Sequence, residues 1–124
     1  MNRRRFLQTS TAAALTAPLL ALEADNAYRK EIGIQLYTLR NQIKNDAKAT
    51  IKAVVDAGYH QGEMYGFPNC QPMIDAANEF GLKLNSSHFN WDSVVNPNDG
   101  HQPFAEILEK ANEVGLTHLV IPYL

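Results

Sequence analysis

The sequence is poor in cysteine, in long apolar runs and in positive charge, and each scarcity closes a class of function. With Cys70 as its one cysteine the chain can form no internal disulfide. No second Cys or His stands at metal-site spacing around it, so a small packed side chain is preferred over a metal ligand or a reactive thiol. No apolar run reaches the roughly 20 residues that a bilayer span needs. The 11 basic side chains are outnumbered by 13 acidic ones, and Arg3, Arg4, Arg5 and Glu23 lie in the first 24 residues, so the rest carries 8 basic against 12 acidic. Such an acidic body lacks the basic stripe that duplex nucleic acid demands, and nucleic acid is not an expected partner. No G-x-G-x-x-G follows a strand-like run, which leaves a dinucleotide fold with little support. What remains is 45% hydrophobic and 19% charged over 124 residues, the balance and length of one globular domain.

The first 27 residues read as an address. Three arginines, Arg3 to Arg5, precede Phe6-Leu7-Gln8, and a moderately apolar stretch of twelve residues runs from Thr11 to Leu22. Arg3 and Arg4 with Phe6 and Leu7 resemble the twin-arginine signal, which a dedicated translocase reads. Pro18 and the Ala/Thr-rich stretch argue against a basic amphipathic helix. Ala24 and Ala27 are both candidate cleavage points. The resemblance implies export of a folded protein to the periplasm or beyond, with the twin-arginine translocase as partner and no stable membrane anchor after cleavage.

The body, residues 28–124, contains a short repeat. Asp56-Ala57-Gly58-Tyr59, Glu79-Phe80-Gly81-Leu82 and Glu113-Val114-Gly115-Leu116 each place glycine between a helical pattern and a strand-like run. Glycine suits that position because the residue after a helix often adopts the left-handed conformation. Ile51, Val54 and Val55 mark the first helix, with Asn45 or Asp46 as its N-cap. Pro72 at the first helical position, with Ile74, Ala77 and Phe80, marks the second. Pro103 in the same role, with Phe104, Ile107, Leu108, Ala111 and Val114, marks the third. Strands are expected at Ile32–Tyr37, about His60–Tyr65, Leu82–His88 and Thr117–Pro122. Strands alternating with helices predict an α/β fold with a parallel sheet, either open and doubly wound or part of a (β/α)8 barrel.

In such barrels the reacting groups stand at the C-terminal ends of the strands. That rule selects Gln35 and Tyr37 on the first strand, whose polar parity sets them opposite Ile32, Ile34 and Leu36. It selects Glu63 on the second, Ser86 and His88 on the third with Asn90, Trp91 and Asp92 beyond, and Tyr123 after the fourth. Each has a plainer reading. Glu63 could pair with a lysine or cap a helix, His88 could be a satisfied core or loop group, and Trp91 could simply pack. A tryptophan beside a polar loop also offers a face to a sugar. His60, His101 and His118 lack matching partners and read as surface or structural. The stretch Asn90–Gln102 reads as a thirteen-residue loop, long enough for a lid or substrate contact.

Gly33-Ile34-Gln35-Leu36-Tyr37-Thr38-Leu39-Arg40 closely resembles the opening strand of the xylose isomerase-like barrels, the sugar phosphate isomerase/epimerase group. Val55-Asp56-Ala57-Gly58-Tyr59 with Glu63, Gly81 through Phe89, and Gly115 through Pro122 resemble its next three strands. Gly62 departs from the β-branched residue usual before that glutamate, and glycine there reads as a weak point or a bulge. The resemblance spans Glu31 to Leu124. It implies metal-assisted proton transfer on a keto or hydroxy sugar, with Glu63 and His88 as catalytic candidates. Gln35, Tyr37, Trp91 and Tyr123 are then the substrate-binding candidates. The family's divalent metal (Mn, Mg, Co or Zn) is held by residues of the later strands, so no metal ligand transfers to this chain and no metal is expected on it. A whole barrel needs about 250 residues, so the chain is expected to be an inactive partial barrel of about four strands and three helices. The alternative is a non-catalytic periplasmic carbohydrate-binding or accessory protein on the same scaffold. A related branch of DNA-repair barrels has a zinc-binding histidine on its third strand, but the export signal and the acidic body weigh against it.

Overall fold

The computed structural model describes residues 31–96 and 99–123. The chain leaves the extended conformation early: β1 covers only Gly33–Gln35, and a 3-10 turn follows over Leu36–Leu39. The strand expected over Ile32–Tyr37 is therefore shorter, and Tyr37 stands in the turn. The cause is local. Gln35 Oε1 accepts the Tyr37 N–H, a side-chain bond that competes with the ladder and bends the backbone, while Leu36 turns wholly into the core.

A short helix, α1 (Arg40–Asn45), runs to Asp46, where α2 (Ala47–Asp56) begins. Of the two expected caps it is Asp46 that has the extended backbone, φ −155° and ψ 94°, and its Oδ1 accepts the Ala49 N–H at 2.9 Å. Removing such a cap costs about 0.5–2 kcal/mol. Asp46→Ala is expected to lower the urea midpoint accordingly with the m-value unchanged; an unaltered midpoint would mean that the cap contributes nothing to stability.

The order continues with β2 (Gln61–Phe67), α3 (Gln71–Phe80), β3 (Lys83–Phe89), α4 (Asp92–Val95), α5 (Phe104–Val114) and β4 (His118–Val120). Pro72 occupies the second position of α3 rather than the first, and Pro103 stands just before α5 as its N-cap, not inside it. Neither place needs the N–H that proline lacks. The stretch Asn90–Gln102 is not all loop, since α4 lies within it. The three repeat glycines, Gly58, Gly81 and Gly115, have φ of 95°, 74° and 81°, so each repeat ends its helix in the left-handed turn that the pattern predicts.

The four strands form one sheet in the order β1-β2-β3-β4, and every pairing is parallel. The order contains no reversal of the kind at which doubly wound sheets change face. Crossovers of a single hand then keep the helices on one side of the sheet. The core lies between: Ile51 and Val54 from α2, Ile74 and Ala77 from α3, and Ile107 and Ala111 from α5 meet Leu36, Met64, Leu82 and Phe89. Burying each of the larger side chains contributes roughly 1.5–3 kcal/mol. Met73 and Ala76 widen the buried face of α3 beyond the expected stripe, in which Phe80 is only partly covered. Leu108, expected in the apolar face of α5, is 49% exposed. It lies on the flank of α5 beside β4, in a groove with Leu119 and Ile121 that no described element fills.

Gly62 sits where the helix-facing side of β2 is most crowded. A Cβ there would lie 3.1 Å from Leu82 Cδ2 and 3.4 Å from Leu36 Cδ1, so the glycine is set by packing. The ladder also slips at this step, but the extra residue belongs to β3, so Gly62 is not itself the bulged residue. No helix among the described residues is long and apolar enough to cross a membrane.

Candidate functional site

Along β2 the pleat alternates: Gly62 and Met64 are buried against the helices, while Gln61, Glu63 and Tyr65 are half-buried on the opposite face. Register carries that face across the sheet, because Gln35 stands beside Glu63 and Glu63 beside Ser86. Two irregularities adjust the row. Between the pairs Gly62–Leu84 and Glu63–Ser86, β3 holds one extra residue, Asn85, whose amide reaches the Gln61 side chain. Further on, Tyr65 and Gly66 of β2 pass His88 of β3, and Gly66 takes φ 70° to absorb the slip. Bulges of this kind re-aim side chains. Here they set Ser86 and then His88 against Glu63.

The result is a connected polar row. Glu63 Oε1 lies 3.0 Å from His88 Nε2, and the Ser86 hydroxyl donates to Glu63 Oε2 at 2.6 Å. The Gln35 amide nitrogen lies 3.4 Å and 3.3 Å from the Nδ1 and Nε2 atoms of His88. Because Gln35 Oε1 is taken by the Tyr37 N–H, the amide must present its nitrogen to the imidazole. A neutral ring with its hydrogen on Nε2 satisfies both neighbours: it donates to Glu63 and accepts from Gln35 through Nδ1. Glu63 and His88 keep 27% and 22% of their side-chain surface exposed, so a ligand can reach them. Glu63 therefore takes neither plainer role, lysine partner or helix cap.

Above this row a cleft of about 360 Å³ opens at the C-terminal ends of the strands. Tyr37, Tyr65, His88, Trp91, Pro122 and Tyr123 line it. Every strand thus delivers a residue to one rim. Tyr123 is the most open of them at 78% exposed. Tyr37 is braced on two sides: its ring meets Tyr65 edge-on, with centroids 5.4 Å apart, and the Arg40 guanidinium lies 4.6 Å from its ring centre. Of the six candidate residues Gln35, Tyr37, Glu63, His88, Trp91 and Tyr123, four line the cleft, and Gln35 and Glu63 are joined to it through His88.

Two neighbours escaped the sequence reading. Tyr65 was legible, since it shares the parity of Gln61 and Glu63. Burial pushes its phenol up, against the opposing pull of the Arg40 charge, so it stays a hydrogen-bond donor. Arg40 carries no such sequence signal, because its place depends on the 3-10 turn. His60 and His118 are exposed and His101 half-buried, all three outside the cleft, and His118 Nδ1 lies 2.9 Å from the Thr117 hydroxyl.

Cys70 is buried, with Sγ 3.8 Å from Met64 Sδ, and burial pushes its thiol up to about 11. Only about one molecule in a thousand then carries the thiolate near pH 8, and the thiolate is the nucleophile. Alkylation by iodoacetamide at that pH is expected to be about a hundredfold slower in the native chain than in the denatured one. Equal rates would show an open, ordinary thiol.

The export motif at Arg3, Arg4, Phe6 and Leu7 lies outside the described residues. Among the described residues no three His, Cys, Asp or Glu side chains gather as a metal-binding group. Glu63 and His88 offer only two donors, already spent on each other, on Ser86 and on Gln35, so the implied divalent metal does not fit this row. No family model, curated protein or solved structure matches the chain.

Proposed function

We propose that the cleft is the sugar-binding side of an isomerase- or epimerase-type β/α barrel, in which the four parallel units form one part of the barrel wall. The observation that carries this reading is the Glu63–His88 couple, at 3.0 Å, beneath a wall of aromatic rings at the strand ends. The unreversed strand order supports the barrel, and the motif around Gln35 and Tyr37 supports the family. Export through the twin-arginine signal would place the protein in the periplasm or beyond.

The chemistry follows from the row. Sugar rings present C–H faces that stack on Tyr37, Trp91 and Tyr123, and hydroxyls that bond to the polar floor. Glu63 is a carboxylate held by two donors and able to take a proton, and His88 is an imidazole able to give the one on Nε2. Such a pair exchanges protons with a hydroxyl, or with a carbon made acidic by a neighbouring carbonyl. Ser86 fixes the carboxylate and Gln35 the ring, so His88 meets the cleft, with Glu63 behind it, without having to reorganise.

Trp91 is the one tryptophan and lines the cleft, so its fluorescence reports occupancy. Titration with D-fructose is expected to change that emission saturably, and no change would end the reading. A sugar hydroxamate, which mimics the planar enediolate, is expected to bind at least about tenfold more tightly than fructose, as proton-transfer sites hold their transition state best. Equal affinities would favour a carbohydrate-binding module. Calorimetry with manganese is expected to show no stoichiometric submicromolar site, and finding one would place the metal donors within this chain.

A further inference from the structure

A second cavity, of about 650 Å³, adjoins the cleft and shares Tyr37, Tyr65 and Gly66 with it. Its lining differs in kind. Arg40 and Lys44 bring two cations and Asn41, Asn45 and Asn69 bring three amides, while no carboxylate lines it. That is unusual in a body where acidic side chains outnumber basic ones. The carboxylates of the neighbouring helices are engaged elsewhere: Glu79 with Lys48, Asp56 with Lys52, and Asp75 with the Gln71 amide. No described carboxylate pairs with Arg40 or Lys44. Arg40 is also held in place, since its Nη1 donates to the Tyr37 carbonyl at 3.1 Å and its guanidinium rests on the Tyr37 ring.

We infer that this cavity receives an oxyanion, carboxylate or phosphate, carried at the far end of the sugar whose reacting end lies over His88 and Glu63. Tyr37 and Tyr65 form the shared wall, so one ligand can span both spaces. Arginine suits the task because its planar fork meets two oxygens of either anion at once, and the asparagine amides can complete the shell. Lys44 adds a point charge that follows either geometry. The inference rests on the sugar-binding reading of the cleft but concerns a different set of residues, so the two can fail separately.

The test is a two-dimensional amide NMR titration of the full chain with glucose, glucuronate, glucose 6-phosphate and inorganic phosphate. The anionic sugars are expected to bind roughly tenfold or more tightly than glucose, the scale of one charge-assisted contact. They are also expected to move signals from Arg40 to Asn45 and at Asn69 that glucose leaves unmoved. Comparison of glucuronate with glucose 6-phosphate tells which anion the cavity prefers. The double variant Arg40→Gln/Lys44→Gln is expected to lose the preference, read as the ratio of anionic to neutral affinity because Arg40 also braces Tyr37. Lys44→Gln alone, at a residue that does not line the cleft, is expected to lower that ratio and keep the affinity for glucose. A preference that survives the double variant, or equal affinities for the charged and neutral sugars, overturns the inference. If no sugar moves Tyr65, His88 or Trp91 while phosphate still moves Arg40 to Asn45, the oxyanion site stands and the sugar reading falls. If neither phosphate nor an anionic sugar moves those signals, the oxyanion site itself is wrong.

Discussion

Glu63→Ala is expected to weaken D-fructose binding by about 10- to 100-fold, read from Trp91 fluorescence. The carboxylate holds His88 at 3.0 Å and receives the Ser86 hydroxyl at 2.6 Å, so its loss frees both partners and unsettles the imidazole that meets the ligand. Hydrogen bonds to a charged group are worth about 1.5–3 kcal/mol, which sets that range. Glu63→Gln keeps the shape and one acceptor oxygen, and its loss is expected to be the smaller of the two. Undiminished affinity in the alanine variant would remove Glu63 from the site and leave the aromatic wall as the binding determinant. Glu63→Ala is expected to lower the urea midpoint modestly, because two half-buried hydrogen bonds go with the side chain, and Glu63→Gln to lower it less, because no apolar core contact is lost in either.

The second large effect concerns stability. Leu36 is fully buried and touches the place where Gly62 would carry a side chain. Leu36→Ala is expected to cost about 2–5 kcal/mol through lost burial and the cavity left behind. Gly62→Val, which restores the β-branched residue usual in the resembling family, is expected to cost about 1–3 kcal/mol by overpacking against Leu36 and Leu82. Combined, the two should not add, since the valine grows into the space the leucine leaves. A coupling of at least about 1 kcal/mol in urea denaturation would show this. Strict additivity would mean that Leu82, at 3.1 Å from the added Cβ, sets the whole cost of the valine. The experiment also asks why this chain departs from the resembling pattern at Gly62: a large rescue would mean that Leu36 and Gly62 are matched to each other.

The groove beside β4 bears on any such measurement. Leu108, Leu119 and Ile121 face it together with Phe104, and none of them is fully buried. Stability measured on the 124-residue chain therefore reports a core centred on α2, α3 and β2 rather than on α5 and β4.

Much of the fold was legible in the residue order. The repeated glycines set where helices end, because only the left-handed turn closes such a helix cheaply, and the apolar spacing of Ile51, Val54, Ile74, Ala77, Ile107 and Ala111 set which faces are covered. Both are local signals, a backbone preference and a periodicity, and they survive folding unchanged. The rule that reacting groups stand at the C-terminal ends of parallel strands likewise pointed Gln35, Glu63 and His88 to one rim. Tertiary structure decided the rest. The early end of β1 depends on a side-chain bond from Gln35 to the chain beyond it. The exposure of Leu108 depends on what lies beside α5. The meeting of Glu63, Ser86 and His88 depends on two slips in the β2–β3 ladder, at Asn85 and at Gly66, and a register is a relation between strands that no single stretch of sequence encodes. Arg40 beside Tyr37 belongs to the same class: its position follows from the bend after Gln35, so it becomes visible only when the chain is folded.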